Sequence, residues 1–230
     1  MHGLIDLDVT EAHRLLATHE PPLSFTAFIV ASVARAAAAY PDVHAYRNWR
    51  GQIVLHHHVD VTTIVEISTP QGPFPLVHIV RDAENRDVAG LTEELHRAKG
   101  KPTATRSGWW LARVAPLGAR LPGLIPVMYA VMGRSVRARQ RSGTVAVTAV
   151  GMFGGGGGFA IAPLALMSLQ VVVGGMSQRP RVVGGQVEIR DVLDLTVTID
   201  HNVVDGAPAA RFGAELRRLI ENASVLRGSQ

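Results

Sequence analysis

The sequence contains no cysteine, which excludes a disulfide framework, a thiolate metal site and a thiol nucleophile. Aromatic residues make up only 5%. That is too few for a base-stacking platform, and no nucleic-acid motif accompanies the basic charge, so no nucleic-acid partner is expected. Acidic residues are absent from the whole middle of the chain. Residues 95–187 hold no Asp or Glu but twelve Lys or Arg, so all nineteen acids lie toward the two ends. A field of that sign favours an anionic partner, for example a phosphate-bearing cofactor or an acidic membrane surface. Residues 142–178 carry no formal charge, yet no spanning helix is expected there. Five consecutive glycines, 154–158, and Pro163 cut the run into short valine-rich pieces that read as buried strands and loops. The glycine run also lacks the Gly-Lys-Ser/Thr ending of a phosphate loop; its glycines are expected to let a backbone approach closely or a loop move. The first eight residues lack the basic and apolar regions of a secretory signal, so a cytoplasmic location is expected.

What the sequence does hold is enough apolar material for a sizeable core: 230 residues, 47% hydrophobic, best read as one domain over 1–230. The most informative stretch is 195–212. Leu195, Val197 and Ile199 alternate with Thr196, Thr198 and Asp200, the pattern of a strand with one buried face. A tight turn follows with His201 and Asp205, then Gly206 and a helix with Pro208 suited to its first position. A histidine held where a strand ends suits proton transfer, because imidazole titrates near neutrality. Asp205 as a simple helix cap is the bland alternative, but Pro208 at the first helical position makes Ala207 the capping site.

Elsewhere the pattern predicts a strand over 4–9, then a helix over 11–18 capped by Thr10, then a buried alanine-rich helix over 25–40 capped by Ser24. Strands are expected at 52–55, 59–67, 76–80, 144–150 and 169–173, with 69–75 as a turn. A helix over 88–99 is capped by Asp87 and ended by Gly100. The two glycines within 179–187 form a hairpin turn. Phe212, Leu216, Leu219 and Ile220 mark one face of a last helix. His56, His57 and His58 invite a metal, but strand neighbours point to opposite faces. Only His56 and His58 could then share an ion, and spacing supplies no third ligand. A polar strand edge is the favoured reading, with no metal expected.

Several blocks resemble one known family. Asp200-His-Asn-Val-Val-Asp-Gly206 is similar to the His-x-x-x-Asp-Gly motif of the catalytic domain of 2-oxo acid dehydrogenase acyltransferases, shared with chloramphenicol acetyltransferase. Ser24-Phe25-Thr26, the turn 41–45 with His44 in place of the usual Asn, the turn and strand 69–80, the block around Thr148 and Gly151-Met-Phe-Gly154, and the hairpin 179–187 resemble the family in order. The resemblance implies an α/β two-layer sandwich with a mixed sheet and helices on one face. It implies a CoA-dependent acyltransferase in which His201 is the general base, Thr148 an oxyanion donor and Asp205 a residue that holds the turn. It implies coenzyme A as substrate, lipoamide carried on a separate protein, and a homotrimer whose active site lies between subunits.

Two features depart from the family. Asn202 stands where Arg usually follows the histidine, and the sequence has no lipoyl domain, no subunit-binding domain and no early basic helix to partner Asp205, so a stand-alone enzyme is the expectation. Residues 106–141 match no part of the family. With Trp109, Trp110, three prolines and seven arginines, they read as an inserted helical hairpin or as an amphipathic element lying on acidic lipid. The contrasting reading of the whole chain is a non-catalytic oligomeric scaffold or membrane-peripheral assembly protein that retains the fold.

Overall fold

A computed structural model describes residues 1–69, 72–100, 123, 127, 130, 135, 141–149, 156–163 and 167–227. Almost all of the segment 106–141, and the block 151–154, lie outside the described residues. Elements are numbered below in chain order among the residues described. No described helix is long and apolar enough to cross a membrane.

The strand β1 (His2–Asp8) is followed by helices α1 (Thr10–Thr18) and α2 (Phe25–Ala39). The Ser24 side chain accepts the Ala27 N–H at the start of α2 as predicted, and Ala27, Phe28, Ile29, Val30, Ala31 and Val33 are fully buried. Thr10 does not cap α1. It is the first helical residue, and its hydroxyl instead accepts the Asp191 N–H from the neighbouring strand. A short two-stranded sheet, β2 (Tyr46–Arg47) with β3 (Ile53–Val54), precedes the main strands β4 (Val61–Thr69) and β5 (Gly72–Val80). Helix α3 (Val88–Gly100) begins where Asp87 accepts the Gly90 N–H. The chain continues through β6 (Val145–Ala149), β7 (Leu169–Val183) and β8 (Gln186–Ile199) to α4 (Gly206–Glu221) and the short α5 (Ser224–Arg227).

The main sheet has the order β1-β8-β7-β6-β4-β5. Strands β4, β6 and β7 run parallel to one another and every other pairing is antiparallel. Helices α1, α2, α3 and α4 pack against it. The core between them joins Phe28, Leu91, Phe212, Leu216 and Ile220 from the helices to Leu7, Val147, Leu169 and Leu195 from the sheet. Each such side chain, fully buried, contributes about 1.5–3 kcal/mol. This is the mixed-sheet α/β sandwich expected.

Two strands differ from their patterns. The segment expected as a turn before residue 76 is the first half of β5, where Pro73 and Pro75 pair opposite Ser68 and Glu66. Proline is tolerated there because β5 is the edge of the sheet, so a missing N–H breaks no further ladder. In β8 the threonines are not a solvated face: Thr196 and Thr198 are as fully buried as Leu195. Strand β7 also runs ten residues past its expected end. Together with β8 it forms a long hairpin turned by Gly184 and Gly185, both at positive φ. Its far end exposes Val182, Val187 and Ile189 by about 75% each.

Candidate active site

The turn after β8 is tied from both sides. The Asp200 N–H donates to the Ser168 carbonyl at 2.8 Å, and the Asp200 carbonyl accepts from Val203 and Val204 at 3.0 and 3.1 Å. Its carboxylate accepts both the backbone N–H and the side-chain amide of Asn202. That is an Asx turn, whose sequence mark is the Asp two residues before Asn202. The Met1 ammonium donates to the Ile199 carbonyl at 2.8 Å, pinning the end of β8 to the first residue of the chain. Asp200 is thus a site-building residue that the motif alone does not single out.

On this frame His201 is exposed. Its Nδ1 lies 2.9 Å from the carbonyl oxygen of Val204, which is 2% exposed and anchors the turn in the core. A carbonyl oxygen only accepts, so Nδ1 carries the hydrogen, and in the neutral ring Nε2 is the nitrogen with the lone pair. Holding one nitrogen as the donor is what a histidine base requires, since it fixes both tautomer and ring orientation.

Asp205 does not touch that ring through any hydrogen bond among the described residues. It is the residue before α4, and its Oδ1 accepts the Gly206 N–H at 2.7 Å. The helix therefore starts two residues earlier than Pro208 suggested, and the capping role assigned by sequence to Ala207 belongs to Asp205. Pro208 remains within the first turn, where no intrahelical partner is needed for its absent N–H. Asp205 acts on the turn's exit rather than on the imidazole.

Thr148, half-buried on β6, is not brought to His201 within one chain. It pairs with Val172, which pairs with Thr196, whereas β8 runs three residues further to Ile199 before the turn begins. At about 3.3 Å per residue and 4.8 Å per strand, Thr148 lies on the order of 14 Å from Ile199. One copy of the chain carries the two groups at different levels of the sheet.

Gly156, Gly157 and Gly158, the described part of the glycine run, are seated on the sheet in the way close backbone approach requires. At a bulge in β7, Gly174 and Gly175 leave the ladder, and the Gly175 N–H donates to the Gly158 carbonyl at 2.8 Å. A methyl group on Gly174 would overlap that same carbonyl oxygen, and one on Gly175 the carbonyl of Gly156. The Gly158 N–H donates to the buried carboxylate of Asp194 at 2.7 Å, which also takes both terminal nitrogens of Arg179. The three histidines separate: His56 is buried and stacks on His44 and Tyr46, while His58 is exposed.

The family model described as 2-oxoacid dehydrogenases acyltransferase (catalytic domain) matches residues 1–107 and 132–227. The unmatched gap falls inside the basic segment that stood apart in the sequence. The chain is 24% identical over 231 residues to the lipoamide acyltransferase component of the branched-chain alpha-keto acid dehydrogenase complex of Pseudomonas aeruginosa, covering 96% of this chain and 46% of that protein. It is 27% identical over 211 residues to the dihydrolipoyllysine-residue acetyltransferase component of the pyruvate dehydrogenase complex of Mycoplasma pneumoniae, covering 90% and 43%. It thus spans less than half the length of these relatives. Among solved structures it superposes on the cubic core of the pyruvate dehydrogenase multienzyme complex with a TM-score of 0.70 at 19% identity, covering 98% of this chain and 83% of that one. Chloramphenicol acetyltransferase gives 0.56 at 15%, covering 96% and 87%. The fold is shared with both of these structures.

Proposed function

Because the chain belongs to the 2-oxoacid dehydrogenases acyltransferase family, of which it carries the catalytic domain, we propose that it transfers an acyl group between dihydrolipoamide and coenzyme A with His201 as general base. The observation that carries this reading is the 2.9 Å contact of Nδ1 with the Val204 carbonyl, which leaves Nε2 as the basic atom. Thiols titrate above neutrality, so a thiol nucleophile needs such a base.

The steps follow from that atom. Nε2 takes the proton from the thiol of coenzyme A, and the sulfur attacks the carbonyl carbon of acyl-dihydrolipoamide. The carbon–oxygen double bond opens to a tetrahedral oxyanion, which accepts a hydrogen bond from the hydroxyl of Thr148. Collapse of the intermediate breaks the bond to the lipoyl sulfur, which leaves with the proton held by the His201 imidazolium. The products are acyl-CoA and dihydrolipoamide, and the reverse direction uses the same groups. Asp205 keeps the turn in register by capping α4.

In this reading Thr148 reaches the oxyanion from a neighbouring copy, and the assembly is a homotrimer. Two features support it: the separation of Thr148 from His201 within one chain, and the bare apolar tip of the β7–β8 hairpin at Val182, Val187 and Ile189. The test is an acyl-CoA panel assayed with dihydrolipoamide. The His201→Ala protein, checked for unchanged circular dichroism and assembly, is expected to lose roughly 10²–10⁴-fold in transfer rate. Equal rates for the two proteins remove His201 from the mechanism. No thermal shift with coenzyme A or any acyl-CoA would leave the fold in use as a scaffold.

A further inference from the structure

The antiparallel pairing of β4 with β5 brings together two segments far apart in sequence. Val61 pairs with Val80, and the ladder is prolonged by the Ala83 N–H donating to the Val59 carbonyl at 2.9 Å. His58 is therefore carried opposite the short helical turn 83–85, with Asp82 and Glu84 on either side. The His58 Nδ1 lies 3.0 Å from Asp82 Oδ1 and 3.3 Å from Glu84 Oε1. All three ligand atoms lie within 4.8 Å of one another.

Both carboxylates are held in place by other contacts. Glu84 uses its second oxygen to accept the Val59 N–H at 3.0 Å. Asp82 accepts the side-chain amide of Asn85 at 2.7 Å, and its own N–H donates to Asp60 at 3.0 Å. Among the described residues no Lys or Arg forms an ion pair with either carboxylate; Arg81 pairs with Asp60 instead. Two fixed carboxylates that converge without a permanent cation need one supplied. The imidazole can supply it only as a proton on Nδ1, and a single N–H serves one acceptor well, not two. A metal ion would use the Nδ1 lone pair and both oxygens together. Atoms bound at about 2.0–2.2 Å to a tetrahedral zinc lie about 3.4 Å apart, close to the two separations found here.

We propose that His58, Asp82 and Glu84 form a binding site for a divalent transition metal of the zinc class. One imidazole with two carboxylate oxygens is a donor set that such ions take and that differs from the all-oxygen sets of magnesium and calcium. His58 and Asp82 line a cleft of about 590 Å³ together with His56, His57, Asp60, Arg81 and Thr144. The cleft leaves the remaining coordination position open to water or to a small ligand. The site is separate from the His201 turn and stands whether or not the acyl-transfer reading does.

Zinc chloride titrated calorimetrically into the full chain tests it, with the visible spectrum of the cobalt(II) form as a second readout of coordination. The expected result is saturable binding of about one ion per chain, a tetrahedral cobalt spectrum, and affinity at least about tenfold lower in His58→Ala and Glu84→Gln. Glutamine keeps an acceptor for the Val59 N–H, so Glu84→Gln is expected to retain the local fold. His57→Ala, which removes an imidazole from the same triplet but no proposed ligand, is expected to bind as the unaltered protein does. Absence of saturable binding, or equal binding by the His58→Ala protein, overturns the proposal.

Discussion

His44 makes the stability of this protein sensitive to acid. The ring is 2% exposed, its Nδ1 has no hydrogen-bond partner among the described residues, and it stacks on His56 with ring centres 5.8 Å apart. Burial first, and the neighbouring His56 second, push its pKa down to about 4 from 6.5. The unfolded chain therefore binds a proton between those values that the folded chain refuses. Stability contributed by the neutral ring is present above the unfolded pKa and is lost as the pH falls toward the folded one. Between pH 7 and pH 4.5 the loss from this one group is about 2 kcal/mol. The matching perturbation is His44→Leu, which removes the titration and also the buried Nδ1 that no described residue satisfies, so little cost is expected at pH 7. Urea unfolding followed by circular dichroism, at pH 7 and at pH 4.5, gives four stabilities. The fall on acidification should be about 2 kcal/mol smaller in His44→Leu than in the unaltered protein. An equal fall in both proteins would refute the reasoning, because the acid sensitivity would then lie in other groups.

Two further substitutions, with a third as control, probe how residues 156–158 are seated. Arg179→Met leaves the Asp194 carboxylate, 1% exposed, with the Gly158 N–H as its one remaining partner among the described residues, and is expected to cost about 3 kcal/mol in chemical denaturation; a loss below about 0.5 kcal/mol would count the pair as a surface ion pair. Gly175→Ala sets a methyl group against the carbonyl of Gly156 and the backbone of Gly157, so a clear fall in Tm is expected. Gly213→Ala, on α4 with nothing within 4 Å of the added carbon, is expected to stabilise by up to about 1 kcal/mol. The same sign of Tm change for both would remove the packing argument.

The helices were the most legible part of the sequence, although two of their starts, at Thr10 and at Asp205, were misread. Ser24 and Asp87 accept the N–H groups three residues on, and Phe212, Leu216, Leu219 and Ile220 all fall on the buried face of α4. Where a residue's role depends on neighbours distant in sequence, local pattern misled. Pro73 and Pro75 read as a turn, yet they belong to a strand, since only the sheet order makes β5 an edge. Thr196 and Thr198 read as a wet face, yet the second half of β8, residues 192–199, is buried at every position. At the His201 turn the motif was visible, but its internal wiring was not. The ring is oriented by the Val204 carbonyl and Asp205 by the start of α4, neither of which the spacing His-x-x-x-Asp specifies. His58 finds Asp82 and Glu84 only through the β4–β5 register, so no spacing rule could have joined them.

The central claim is that His201 of one copy and Thr148 of another make one acyl-transfer site, and mixed assemblies test it most directly. His201→Ala and Thr148→Ala proteins, each low in activity alone, would be unfolded together in equal amounts and refolded. If each site draws one group from each of two neighbouring copies, about a quarter of the sites in random trimers contain both intact groups, and transfer activity should return to roughly that fraction of the unaltered protein. Activity that stays at the level of the separate variants would contradict a site shared between subunits.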